Sequence, residues 1–165
     1  MPVTIRIAEP DDAPEVYRLI RELAVYEKLD DRVRATADDI RMAMESADPR
    51  VHVLLAELDA TSAVGFALYF FTFSTFEGAP TLYLEDVYVE PEARGRGIGM
   101  VLLRRLGEIA RERGCRRMEW TALDWNTPAL TFYRKLGATT MDDWITHRLE
   151  ADGIERLAAE AGTSQ

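Results

Sequence analysis

Apolar and polar positions alternate over "VTIRIA" (3–8), the two-residue period of a half-buried strand. The pattern then changes period. Val16, Leu19, Ile20, Leu23 and Ala24 line one face of a helix that opens on acidic residues in "PDDAPEVYRLIRELAVYEKL". "TADDIRMAMESA" predicts a second helix capped by Thr36. "RVHVLLAEL" and "SAVGFALYFFTFS" are apolar, β-branched and aromatic, which predicts adjacent central strands. "TLYLEDVYVEP" predicts a third, closed by Pro91. Ile98, Leu102, Leu106, Ile109 and Ala110 form a long helical stripe ending at Gly114. "CRRMEWTALD" predicts a strand, and "NTPALTFYRKLGA" a short helix with Asn126 as cap, Pro128 in its first turn and Gly137 at its end. "TTMDDWITHRLE" predicts a last strand, followed by a short helix or a frayed tail. The order βααβββαβαβ predicts an α/β fold, a sheet of mixed direction with helices on both faces, in one domain over residues 1–165.

The third strand breaks its own period. Leu82 and Leu84 share a face, and so do Val87 and Val89, but the step from 84 to 87 is odd. Two patterns fit: an extra residue near Glu85-Asp86, a β-bulge that frees backbone groups for a ligand, or a regular strand with a polar interruption.

Composition narrows the function. The 165 residues are 47% hydrophobic and 30% charged, ordinary for a globular protein. No apolar run approaches the roughly 18 residues of a membrane helix. The first residues lack a signal-peptide pattern, so no membrane partner and a cytoplasmic setting are expected. One cysteine excludes an internal disulfide, and two distant histidines argue against a metal site. A net charge of −9 disfavours nucleic acid and suits a cationic substrate or simple solubility.

The segment "VEPEARGRGIGMVLL" (89–103) runs from a strand end into a helix, with glycines alternating between arginines. Met100 stands where a dinucleotide loop needs its third glycine, and the Gly-Lys-Ser/Thr ending of the P-loop is absent. What remains suits a pyrophosphate. Helix N-terminal N–H groups face an anion, Gly95, Gly97 and Gly99 permit close backbone approach, and Arg94 and Arg96 supply forked donors.

"ARGRGIG" resembles the arginine–x–x–glycine–x–glycine signature for acetyl-coenzyme A in the GNAT N-acetyltransferases. "IRELAVYEKL", "YLEDVYVEPEARGRGIG", "LDWNTPALTFYRKLGA" and "DDW" fall in the order of the spermidine/spermine (diamine) branch and its thialysine-acetylating relatives. The resemblance implies a mostly antiparallel sheet with a bulged central strand, acetyl-CoA as co-substrate, no metal, a small-molecule amine as acceptor and a homodimer. It implies Tyr133 as general acid on the departing sulfur and Glu85 as acceptor of the substrate proton. Val87 and Val89 would bind the pantetheine arm by their backbone, and residues 94–99 (Arg94, Gly95, Arg96, Gly97, Ile98, Gly99) the pyrophosphate. Asn126 and Tyr133 would also contact the cofactor, while Tyr26, Glu27, Glu85, Asp86 and Trp144 face the acceptor. Packing beside Phe132 would equally account for Tyr133, and helix capping for Asn126. Ser74 and Phe76 stand where the polyamine enzymes tend to place an aspartate and a tryptophan, which favours a shorter amine or amino acid. The alternatives are acetylation of protein lysines, N-termini or an aminoglycoside, and a non-catalytic acyl-CoA-binding module.

Overall fold

The computed structural model describes residues 2–59 and 62–160, and the chain divides between Leu123 and Asp124 into two compact units. In the first unit, β1 (Thr4–Ile7), α1 (Ala13–Tyr26) and α2 (Ala37–Glu45) precede three successive strands, β2 (His52–Glu57), β3 (Ala63–Ser74) and β4 (Ala79–Val89). A helix, α3 (Ile98–Glu112), and a strand, β5 (Arg117–Trp120), follow. The five strands form one sheet in the order β1-β2-β3-β4-β5, antiparallel throughout except for the parallel β4–β5 pair.

Alternation along the strands divides the core. Val53, Leu55, Phe66, Leu68 and Tyr88 share a cluster with Val16 and Leu19 of α1 and Met44 of α2. Their neighbours Leu54, Ala56, Ala67, Leu82 and Leu84 are equally buried and turn to the opposite face, where α3 packs through Leu102 and Leu106. Helices therefore cover both faces, as the pattern predicts. Thr36 caps α2 as expected, its hydroxyl accepting from Asp39 N–H while its own N–H donates to the Asp39 carboxylate. Gly114 follows α3 with φ of +71°, the conformation expected after a helix.

One guanidinium ties α1 to two strands. Arg18 pairs with Glu15 and Glu22 on its own helix, with Glu90 just past β4, and donates to Ala63 O at the start of β3. Glu15 also accepts from Ala63 N–H. Arg18 thus fixes the α1 face against the strand end from which the glycine loop departs.

The second unit contains α4 (Thr127–Lys135) and α5 (Ala151–Glu160). Two expectations fail here. The strand expected over residues 139–150 does not form: Asp142-Asp143 make a turn, and Met141, Trp144, Ile145 and Leu149 keep no two-residue period and are exposed. Asn126 occupies the N-cap position of α4, but its side chain makes no capping hydrogen bond. The expected helix at the end is α5, and the expected frayed tail lies in residues 161–165, outside the described residues.

Candidate active site

The odd step in β4 is a bulge. Leu68 pairs with Asp86 and Tyr69 with Leu84, so Glu85 is the extra residue and stands exposed. The bulge returns Val87 and Val89 to the face of Leu82 and Leu84 and puts Asp86 on the face of Tyr88 and Leu68.

At the same point β4 leaves its other neighbour. The β4–β5 ladder covers Thr81–Leu84 against Arg117–Trp120 and goes no further. Glu90 N–H donates to Val64 O, so residues 88 and 90 bond toward β3, while Val87 and Val89 turn their peptide groups to the open edge. An amide-bearing chain laid along that edge finds N–H and C=O groups at a two-residue spacing.

The glycine loop continues from there. Gly95 and Gly97 both have φ of +77°, a region that side chains resist. Gly99 has neither a positive φ nor a neighbour within 4 Å of an added Cβ, so the protein's own packing does not require glycine there. Gly97 is the N-cap of α3 and offers no side-chain acceptor, which leaves the N–H groups of Ile98 and Gly99 for an anion. These residues fit the pyrophosphate and pantetheine of coenzyme A: open N–H donors at a helix end, positive charge, and a free strand edge beside them.

Three of the residues expected on the acceptor side, Glu27, Glu85 and Asp86, are electrostatically coupled. The Asp86 carboxyl is pushed up to about 7, chiefly by burial and further by the negative charges of Glu85 and Glu27. Glu27, the C-cap of α1, is also raised, by burial. Three carboxyls of one sign gathered against a half-apolar wall favour a cationic guest and keep one member ready to exchange a proton near neutrality. Tyr26, the last residue of α1, packs against the core, and the Arg94 guanidinium lies 4.7 Å from its ring centroid and 5.7 Å from that of Tyr88. Arg94 Nε also donates to Val89 O at 2.9 Å. An open cleft of about 740 Å³ runs beside these rings, lined by Glu22, Tyr26, Tyr88, Glu90 and Glu92 among others.

Tyr88 escaped the sequence reading. The signal was present: it lies two residues from Asp86 and so shares its face. Arg18 also escaped, because nothing local distinguishes it from any helix-surface arginine.

The remaining candidates lie in the second unit. Tyr133 is on α4 with its ring 5.7 Å from that of Phe132, Asn126 precedes that helix, and Trp144 lies beyond it, 74% exposed. Ser74 and Phe76 sit at the β3–β4 turn of the first unit. The Ser74 hydroxyl accepts from Glu77 N–H and from Arg117, and Phe76 is 93% exposed. Among the described residues no three metal-ligating side chains cluster.

Comparison with known proteins agrees with this geometry. The chain is 38% identical to a thialysine N-epsilon-acetyltransferase from Bos taurus over 96% of its own length and 98% of that protein's. It is 34% identical to the human spermidine/spermine N(1)-acetyltransferase-like protein 1 over 94% of its length, which is 24% of that longer protein. Among solved structures, an integron cassette protein from the mobile metagenome of V. cholerae superposes with a TM-score of 0.79 at 29% identity, covering 96% of this chain and 98% of that one. The model of the acetyltransferase (GNAT) family matches residues 13–138, which take in the bulge, the glycine loop and α4, and the chain belongs to that family.

Proposed function

We propose that this protein transfers the acetyl group of acetyl-CoA to a primary amine of a small cationic substrate, a polyamine, diamine or thialysine/lysine-like molecule. The observation that carries it is the bulge at Glu85, where an open strand edge, the exposed carboxylate of Glu85 and the half-buried carboxyl of Asp86 meet ahead of the glycine loop. Acetyl-CoA supplies an electrophilic thioester carbonyl and a thiolate leaving group. The chain supplies the rest. The peptide groups of Val87 and Val89 hold the pantetheine arm, and the N–H groups of the glycine loop, with arginine charge beside them, hold the pyrophosphate. An alkylammonium, of pKa about 10.4, must lose a proton before it attacks; Glu85 takes that proton, directly or through water, and Asp86 and Glu27 hold the positive charge until then. Tyr133 returns a proton to the sulfur. Tyr26 and Trp144 complete the acceptor side in this proposal, and Asn126 the cofactor side.

The substrate is inferred to be short. Ser74 is engaged in the β3–β4 turn and offers no carboxylate to a distant ammonium. The names of the relatives support a small amine over an aminoglycoside or a protein terminus. A single functional domain is part of the proposal, supported by a family match that crosses the boundary at Leu123. A homodimer in the cytoplasm is too; the exposed Ile145, Leu149, Ile154 and Leu157 supply apolar surface for an interface.

Coenzyme A thiol release with thialysine, lysine, diaminopropane, spermidine and spermine tests the activity. Turnover is expected to be highest with the shorter amines. Binding of acetyl-CoA with no release above background for any amine would overturn the enzymatic assignment. Tyr133→Phe is expected to lower kcat about a hundredfold with little change in coenzyme A affinity; unchanged turnover across pH removes Tyr133 from its role.

A further inference from the structure

The two arginines of the glycine loop have different positions. Arg94, itself exposed, is engaged by its neighbours: Nε donates to the carbonyl of Val89, and the guanidinium lies over Tyr26 and beside Tyr88. Arg96 is exposed and has no hydrogen bond or ion pair with any described residue. A guanidinium stacked on one ring and bonded to a peptide oxygen is oriented by those contacts, and its forked donors are not turned freely to a phosphate.

The contacts of Arg94 lead to the acceptor side. Tyr26 is the last residue of α1, and Glu27 beside it is one of the carboxyls whose charge reaches Asp86. The helix stops there abruptly, with Lys28 at φ of +61°. A ring held at the last helical position therefore sets where Glu27 stands. Val89 O, on the open edge of β4, ties the same guanidinium to the strand that carries Asp86.

We propose that Arg94 is a positioning residue for the amine, locking the end of α1 onto β4 through Tyr26 and Val89, while Arg96 and the loop N–H groups serve the pyrophosphate. This rests on the acetyltransferase function proposed above. It divides the work of a motif in which both arginines look like phosphate ligands. Lysine does not replace Arg94, because it has neither the planar face for the ring nor the Nε donor for the carbonyl.

The test compares Arg94→Gln, Arg94→Lys, Arg96→Gln, Tyr26→Leu and the Arg94→Gln/Tyr26→Leu double variant. Coenzyme A affinity is read by calorimetry, and the KM of the amine and kcat from thiol release. Arg96→Gln is expected to weaken coenzyme A about tenfold, and Arg94→Gln less than about threefold. Arg94→Gln is expected to raise the KM of the amine about tenfold, with Arg94→Lys no better. The double variant is expected to be no worse than the poorer single one, since both remove one contact. Coenzyme A binding weakened as much by Arg94→Gln as by Arg96→Gln overturns the proposal, as does additivity of Arg94→Gln and Tyr26→Leu in the amine KM. If the wild-type protein binds coenzyme A but acetylates no amine, the enzymatic assignment fails. The binding comparison of the two arginines still decides which of them serves the phosphates.

Discussion

Asp86 ties pH to stability in a direction opposite to most surface carboxylates. Its carboxyl moves from an ordinary 3.8 to about 7 because it is buried and faces Glu85 and Glu27. Below pH 4 both folded and unfolded chains hold the proton, and Asp86 contributes nothing to the pH dependence. Between pH 4 and 7 the unfolded chain releases it while the folded chain keeps it, so folding stability falls as pH rises. At 1.36 kcal/mol for each pH unit the full effect is about 4 kcal/mol, complete once the folded carboxyl ionises near 7. Asp86→Asn removes the titration. Urea unfolding of wild type and Asp86→Asn at intervals from pH 4 to 8 is expected to show the difference between them moving in favour of the variant by about 4 kcal/mol. Any fixed difference between amide and acid shifts the whole curve and leaves this slope untouched. Two parallel profiles across the range would refute the reasoning. The same substitution is expected to raise the KM of the amine.

Two further substitutions probe the frame and the loop. A Cβ added at Gly65 falls 2.7 Å from Tyr88 O, in backbone with no room to yield, so Gly65→Ala is expected to destabilise by about 1–3 kcal/mol, read as a lower urea midpoint. Gly97→Ala meets no neighbour but inherits φ of +77°, so it is expected to cost about 1–2 kcal/mol and to weaken coenzyme A binding in calorimetry.

The frame was legible because burial imposes periods that survive in the sequence. The stripe from Ile98 to Ala110 matched a helix, and the odd step between Leu84 and Val87 admitted a bulge or a polar interruption, between which the register of β3 on β4 decides. The loop was legible in part for a different reason: Gly95 and Gly97 are demanded by backbone angles of +77°. Three features stayed hidden. The apolar residues of 139–150 are spaced without a period, and composition alone suggested a strand there. Asn126 has the residue type of a cap and stands at the N-cap, but residue type does not fix where a side chain points. The contacts of Arg94 with Tyr26 and Val89 stayed hidden because only the packing of α1 on β4 brings these partners to it.

The five residues from Glu85 to Val89 are also a colloidal hazard. A strand whose outer peptide groups have no ladder partner is a template for another chain's strand, and long flat edges of that kind invite aggregation. Here the stretch is interrupted at each end, by a kink carrying an exposed carboxylate at Glu85 and by Pro91 just after the strand. Arg94 occupies the last outward carbonyl. Straightening the kink would lengthen the sheet and give neighbouring molecules an edge to pair with, so the bulge that parts β4 from β5 also keeps the protein from adhering to itself.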